Sequence, residues 1–373
     1  MEWSNQSKYN SFNSWKGLNY SANYKLIVDW MSGLSGYLPP PIEVNLDPYA
    51  ECQLSCSFCI TQRYLKHHRE EVGEMRKLPR EYIIKLIDFL AGWGVRGVCL
   101  SGGGEPTLHS DIGEVLTHAK NKGMDVALVT NAVHMTPQLA KDICYSCRWV
   151  ALSVDSADRE TYKKIKGADM FDKVTENIRN LVEWRKETNS KVDLCFKFLI
   201  LPENQYQIYD ACLLAKSLGV QDWHCRPCDY EREDIKGHKK LELDIPAIYK
   251  QFEECHKEET ESFHVYTVVH KFNPEFHIYH GFNKCLAAPL VLPILTDGNA
   301  YLCVDQKMKS DFKIGSCFPN PEQILKWWGS KEHREFIKSI VPSRDCQLRC
   351  TWSPYQQQIE QVILQDKMCL SFP

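Results

Sequence analysis

From about residue 43 the chain alternates short runs of β-branched and aliphatic residues with longer stretches whose apolar positions recur every three or four. Those are the periods of buried strands and amphipathic helices. Strands are predicted at "IEVNL" (42–46), "GVCLSG" (97–102), "DVALVT" (125–130), "WVALSV" (149–154), "DLCFKFLI" (193–200) and "DWHCRP" (222–227). Between them lie the helical stretches "PREYIIKLIDFLAGW", "DIGEVLTHAKNKG", "PQLAKDIC", "FDKVTENIRNLVEWRKE" and "QIYDACLLAKSLG". Several close on a glycine near a lysine, a common helix stop. Strand-helix alternation requires a parallel sheet, because every crossover needs room for a helix. Six units are too few for a closed eight-fold barrel, so the expected fold is α/β, a partial (β/α)6 barrel over 42–228.

An N-terminal extension (1–41) precedes this barrel, and a charged helical linker region (229–280) follows it. The remainder, 281–373, reads as a small β-hairpin-plus-helix domain. "ILTDGNAYLCVD" carries Asp-Gly at a hairpin turn, and "WWGSKEHREFIKSI" is the helix.

A length of 373 residues suits one barrel-sized unit with an appendage. The formal net charge of -3 supplies no basic field, so nucleic acid is not an expected partner. "MEWSNQSKYNSFNSWKG" has no signal-peptide apolar core, and the longest apolar run, 286–295, is too short for a bilayer and carries two prolines. These features predict a cytoplasmic protein that does not enter a membrane. Seventeen cysteines are far more than a reduced protein of this size needs, and disulfide staples belong to smaller secreted chains. Metal ligation is the implied use for some of them. The isolated Cys99, Cys195, Cys212 and Cys255 read as small buried hydrophobes.

Parallel α/β folds carry their chemistry on loops after the C-terminal ends of strands. After the first strand stands "CQLSCSFC", three cysteines at C-x3-C-x2-C: Cys52, Cys56 and Cys59. After the second stands "GGGEP". Asn131 follows the third, Ser153 and Asp155 end the fourth, and Cys225, Arg226 and Cys228 end the sixth. All are expected at one mouth. Thiolates suit zinc, copper(I) or iron-sulfur clusters. A structural zinc site wants four ligands, whereas this loop offers three.

Taken together, "CQLSCSFC" and "GGGEP" resemble the radical S-adenosylmethionine (radical SAM) superfamily. The resemblance implies that Cys52, Cys56 and Cys59 hold a [4Fe-4S] cluster whose fourth iron is left for the amino and carboxylate groups of S-adenosylmethionine. It also implies an external one-electron donor of flavodoxin or ferredoxin type. Gly102, Gly103 and Gly104 would let backbone approach the methionyl end, and Glu105 would hold its ammonium. Phe58 matches the family's aromatic beside adenine. Asn131, in "TNA" where relatives often have "TNG", and Ser153 become ribose or carboxylate contacts. Lys166 stands where relatives frequently carry arginine against the carboxylate, and it keeps the charge without the bidentate fork.

Downstream, Cys285, Cys303, Cys346 and Cys350 resemble the auxiliary-cluster ligands of the twitch and SPASM subgroups, the shorter twitch form fitting better because only Cys369 remains beyond them. They would hold a second [4Fe-4S] cluster, with Cys317 the substitute ligand and zinc the competing metal. A closed cluster is expected to move an electron. The resemblance implies a radical enzyme that takes hydrogen from a small hydroxylated substrate (a sugar, cyclitol or nucleotide sugar) for oxidation or epimerisation. Cys225 or Cys228 would then be a hydrogen donor and Arg226 a holder of substrate oxygen. The alternative is a peptide or protein maturase.

Overall fold

The computed structural model describes residues 8, 9, 13–59, 61, 76–228, 242–272, 282–346 and 350–364. One sheet organises them, in the order β10-β9-β8-β1-β2-β3-β4-β5-β6-β7. The six expected strands are present as β1 (Glu43–Leu46), β2 (Gly97–Leu100), β3 (Asp125–Thr130), β4 (Cys147–Ser153), β5 (Asp193–Ile200) and β6 (Asp222–Pro227). Each pairs in parallel with the next.

Two further parallel strands extend this array. β7 (His264–Thr267) adds to β6, although its residues read as part of a linker. Four residues with one fully buried position are too short a run for periodicity to expose. β8 (Val291–Ile294) pairs in parallel with β1, then turns through Asp297 and Gly298 into the antiparallel β9 (Asn299–Tyr301) and β10 (Lys313–Ser316). The expected hairpin is therefore continuous with the barrel sheet. Gly298 sits at φ +71, where the turn needs a residue without a Cβ.

The helices of six or more residues are α1 (Ser21–Ser32), α2 (Arg80–Trp93), α3 (Ile112–Asn121), α4 (Pro137–Ser146), α5 (Arg159–Lys166), α6 (Phe171–Glu187), α7 (Ile208–Leu218), α8 (Ile245–Lys257), α9 (Lys331–Ser339) and α10 (Ser353–Gln358). Their ends follow local chemistry. Thr136, Asp158 and Ser330 cap α4, α5 and α9 through backbone N–H groups of Leu139, Thr161 and His333. α2, α5 and α7 stop on Gly94, Gly167 and Gly219, all left-handed.

The main apolar core runs between sheet and helices and takes in α1. Trp30 of α1 donates its indole N–H to Gly329 O at 2.9 Å, and Trp328 donates to Pro39 O at 3.0 Å. Residues ahead of β1 are thus bolted to the segment that leads into α9. Cys99, Cys195, Cys212 and Cys255 are buried, as expected of thiols serving as small hydrophobes. No helix among the described residues is long and apolar enough to cross a membrane. Residues 229–241 and 273–281 of the expected linker, and Cys369, lie outside the described residues.

Candidate active site

The loop bearing Cys52, Cys56 and Cys59 leaves β1 at the mouth and is held from beneath by the end of α5. Ser55 N donates to Lys166 O and Ser57 N to Ile165 O, both at 3.0 Å. Helix-terminal carbonyls need such partners. The approach is close enough that a Cβ on Gly167 would lie 2.1 Å from Ser55 Oγ. Inside the loop, Cys59 N donates to Cys56 O at 3.1 Å and Leu54 N points at Cys52 Sγ at 3.4 Å. The three cysteines are half-buried.

The glycine loop lies flat against this first loop. A Cβ on Gly104 would stand 2.4 Å from Glu51 O, and Glu105 N donates to the same carbonyl at 2.8 Å. Glu105 is buried, and its carboxylate accepts from Thr107 N (3.1 Å), Thr107 Oγ1 (2.7 Å), Thr130 Oγ1 (2.6 Å) and Asn131 N (2.8 Å). Burial raises its pKa, while these donors favour the charged form. In this structure Glu105 therefore ties the loop after β2 to the loop after β3. Asn131 continues the chain of contacts, with Nδ2 3.5 Å from Cys52 Sγ. Ala132, standing where "TNG" would place glycine, is left-handed at φ +59.

Lys166 is buried beneath the cysteine loop. Its ammonium donates to Ser153 O at 3.0 Å, pairs with Asp155, and lies 5.2 Å from the Phe58 ring centroid. Burial opposes its charge, but Asp155 and Cys56 outweigh burial and the pKa is raised overall. The same ammonium favours the thiolate of Cys56, whose pKa burial otherwise lifts. Burial pushes Cys52 up to about 11. Asp155 also accepts Leu199 N at 2.7 Å, which joins β4 and β5 at the mouth.

The two sixth-strand cysteines part company. Cys228 packs with Ile165 and Leu201 against Phe58, at the mouth. Cys225 does not reach it: fully buried, it faces Cys212 of α7 and Cys255 of α8 on the outer side of the sheet. Strand alternation sends neighbours to opposite faces, which is why Arg226 turns inward beside it.

Cys285, Cys303, Cys346 and Cys350 line one apolar hollow with Leu302, Phe312 and Trp352. Two residues outside the sequence expectation assemble it. Gln356 of α10 accepts Leu286 N at 2.6 Å and Ala287 N at 2.8 Å and donates to Cys285 Sγ at 3.6 Å. Asp305 accepts Thr351 N at 2.7 Å and Thr351 Oγ1 at 2.8 Å, while its own N–H points at Cys303 Sγ at 3.3 Å. Burial pushes Cys285 up to about 12 and lifts Cys303 and Cys350 well above the ordinary thiol, with Asp305 adding to both. Cys317 is elsewhere, its Sγ donating to Gly298 O at 3.0 Å beneath the hairpin turn.

Among the described residues, no three His, Cys, Asp or Glu side chains converge closely enough to grip a single ion. Sets made only of thiols suit iron-sulfur clusters and zinc alike. The two sets are coupled through the chain: Lys307, in the loop after Cys303, pairs with Asp47 at the end of β1 at 2.7 Å, and a Cβ on Gly103 would meet Met308 Cε at 3.0 Å. A hollow of about 570 Å³ lies at the opposite end of the sheet, around Asp125, Cys147 and Val192.

A family model described as the Radical SAM superfamily matches residues 47–195. A protein of Saccharolobus islandicus named "Probable GTP 3',8-cyclase" is 26% identical over 288 residues, covering 74% of this chain and 82% of its own. A protein of the same name from Sulfurisphaera tokodaii is 26% identical over 270 residues, covering 71% and 77%. Among solved structures, Streptococcus suis SuiB bound to S-adenosylmethionine superposes with TM-score 0.63 at 16% identity, covering 82% of this chain and 70% of that one. anSMEcpe with bound AdoMet gives 0.59 at 15%, covering 86% and 96%; at such identities these two likenesses speak to the fold. The matched segment carries the three-cysteine loop, the glycine loop, Asn131, Ser153 and Lys166, so that over residues 47–195 the chain is similar to the radical SAM superfamily, whose enzymes use a [4Fe-4S] cluster and S-adenosylmethionine.

Proposed function

We propose that Cys52, Cys56 and Cys59 hold the cluster that engages S-adenosylmethionine, and that Cys285, Cys303, Cys346 and Cys350 hold a second, twitch-type [4Fe-4S] cluster serving the same reaction. When bound, the first cluster supplies the electron that splits the cosubstrate into methionine and a 5'-deoxyadenosyl radical able to take hydrogen from an unactivated C–H bond. The electron comes from an external donor of flavodoxin or ferredoxin type. The chain's own residues position these partners. The glycine loop admits the methionyl end, Phe58 and Cys228 offer an apolar wall for the adenine, and Ser153, Asn131 and Lys166 stand within reach of ribose and carboxylate oxygens. Lys166 is largely engaged by Asp155, so its contribution is the positive field beneath Cys56. Glu105 acts as a positioning residue for the two loops.

The substrate we propose is a small hydroxylated molecule bearing a sugar or cyclitol ring, a class to which nucleotides belong. The observation that carries this reading is that β8 and β9, which Cys285 and Cys303 flank, extend the sheet directly from β1, the strand that leads into the first thiol loop. An electron acceptor or donor so close to the barrel mouth suits a carbon radical that must lose or regain an electron, as in oxidation or epimerisation. The relatives named as GTP 3',8-cyclases favour a sugar-bearing substrate and add ring closure as a third fate of the same radical. A peptide maturase is the second reading, favoured by the fold likeness to SuiB, which is also known bound to precursor peptide SuiA. Against it, the described residues ahead of β1 pack into the body through Tyr24 and Trp30.

Anaerobic reconstitution tests the proposal. Wild type should hold about eight iron atoms and the Cys52/Cys56/Cys59→Ala triple variant about four. Wild type should also release 5'-deoxyadenosine from S-adenosylmethionine with dithionite, and the variant none. About four iron atoms falling to zero would remove the second cluster from the proposal.

A further inference from the structure

The hollow that gathers Cys285, Cys303, Cys346 and Cys350 is also lined by two glutamines, Gln306 and Gln356, and their amides are in different states. Gln356 is fully engaged: its Oε1 accepts the N–H groups of Leu286 and Ala287, and its Nε2 reaches Cys285 Sγ at 3.6 Å. Gln306 is 3% exposed, and its buried Oε1 has no hydrogen-bond partner among the described residues. Leaving such an atom unpaired away from water is costly, and folded proteins keep few of them without a ligand, ion or water to meet them.

The backbone holds Gln306 in place without drawing on its side chain. Gln306 N donates to Cys303 O at 3.1 Å, closing a turn inside which Asp305 N points at Cys303 Sγ at 3.3 Å. Lys309 N donates to Gln306 O at 3.3 Å, and Phe312 N to Lys309 O at 2.9 Å. Next in the chain, Lys307 pairs with Asp47 at 2.7 Å. Gln306 is therefore pinned three positions beyond one thiol of the set, and its amide is the part left over. A half-turn about the last side-chain bond lets an amide present either its oxygen or its two N–H groups. It can accept from a protonated thiol and donate to a thiolate or sulfide.

We infer that the Gln306 amide is a hydrogen-bond donor to the sulfur atoms of the second metal centre, and that together with Gln356 it raises the reduction potential of that centre. This deepens the cluster reading above and rests on it. Hydrogen bonds to cluster sulfurs are among the main determinants of potential, because each N–H offsets part of the negative charge gained on reduction. In a buried apolar hollow that offset is larger than in water. A centre held between two side-chain amides is easier to reduce than the same thiols with leucines in their place.

The test uses the full chain carrying Cys52/Cys56/Cys59→Ala, reconstituted anaerobically so that the second centre is read alone, and the same chain with Gln306→Leu or Gln306→Glu added. Midpoint potentials come from dye-mediated titration followed by electron paramagnetic resonance of the reduced cluster. Gln306→Leu should lower the reduction equilibrium constant about tenfold, which is about 59 mV for one electron, and Gln306→Glu should lower it further by adding charge. Urea unfolding of the metal-free chain should show no loss of stability for Gln306→Leu, since no side-chain hydrogen bond among the described residues is given up. Iron lost from Gln306→Leu, with metal-free stability kept, would be a stronger form of the same result. The inference fails if the midpoint of Gln306→Leu matches that of its parent, or if the metal-free chain is destabilised, which would make Gln306 a purely structural residue. Absence of iron from the parent is instead the failure of the cluster reading, and it is seen before any Gln306 variant is compared.

Discussion

Cys52, Cys56 and Cys59 stand in one short loop, whereas Cys285, Cys303, Cys346 and Cys350 are drawn from the whole of the C-terminal unit. The first set is preassembled by local chain geometry and merely propped by α5. The second exists only when distant segments meet, which is the work of Gln356 and Asp305. Their electrostatics differ in the same sense. A buried cation, Lys166, eases ionisation of Cys56, while a carboxylate, Asp305, opposes ionisation of Cys303 and Cys350. Burial nevertheless lifts Cys52 and Cys56 as it lifts Cys285, Cys303 and Cys350, so these thiols stay protonated until a metal displaces their protons, and the sets differ in the sign of the neighbouring charge.

The contrast can be broken most severely at Asp155. Replacing it by Asn strands the buried Lys166 ammonium without its partner, and should cost about 3–5 kcal/mol in urea unfolding. Retention of wild-type stability would mean that the pair does not support the first loop.

Acid probes the other region. Burial among Trp30, Trp327 and Trp328 holds His333 of α9 at about 4. The unfolded side chain titrates near 6.5, so between these values the unfolded state binds more protons. The contribution of His333 is therefore full above about pH 6.5 and falls as pH drops toward 4, by up to ~3 kcal/mol. Unfolding at pH 7 and pH 5, followed by tryptophan fluorescence, should show this slope, and His333→Gln should flatten it.

Gln356→Leu sharpens the comparison directly. It leaves two buried backbone N–H groups without their acceptor, at about 1–3 kcal/mol. It should reduce iron at the second site while the first keeps its own, read as about four iron atoms and continued 5'-deoxyadenosine release. The smallest effect belongs to Ala132. Ala132→Gly relieves a left-handed backbone but gives up a buried methyl and a stiffer unfolded chain, for a net change within about 1 kcal/mol. Ala132→Val should cost more than the glycine variant in the same melt, because branching at Cβ worsens a positive φ.

Legibility in the sequence followed the same divide between local and assembled. β1 to β6 and most of their helices, though not α5, show through because each is a periodic run bounded by its own caps and stops. The three-cysteine and glycine loops show through because their spacing is the signal. β7 and the pairing of β8 with β1 do not, since four-residue strands carry little period and partner choice is a long-range matter. Cys225 and Cys228 look equivalent in "HCRPC", and only strand alternation sends one to the helices and lets the other end at the mouth. Gln356 and Asp305 had no motif to announce them: their meaning comes from the segments they touch.

The pairing of β8 with β1 also has a consequence for synthesis. As the chain leaves the ribosome, β2 to β6 can add in turn, but the outer edge of β1 stays unpaired until residue 294 has emerged. An open parallel edge beside an unfinished mouth invites pairing with other chains. Completion of the C-terminal unit thus covers this edge as well as assembling the second thiol set, and a fragment ending before β8 should be aggregation-prone even with every residue of the three-cysteine loop in place.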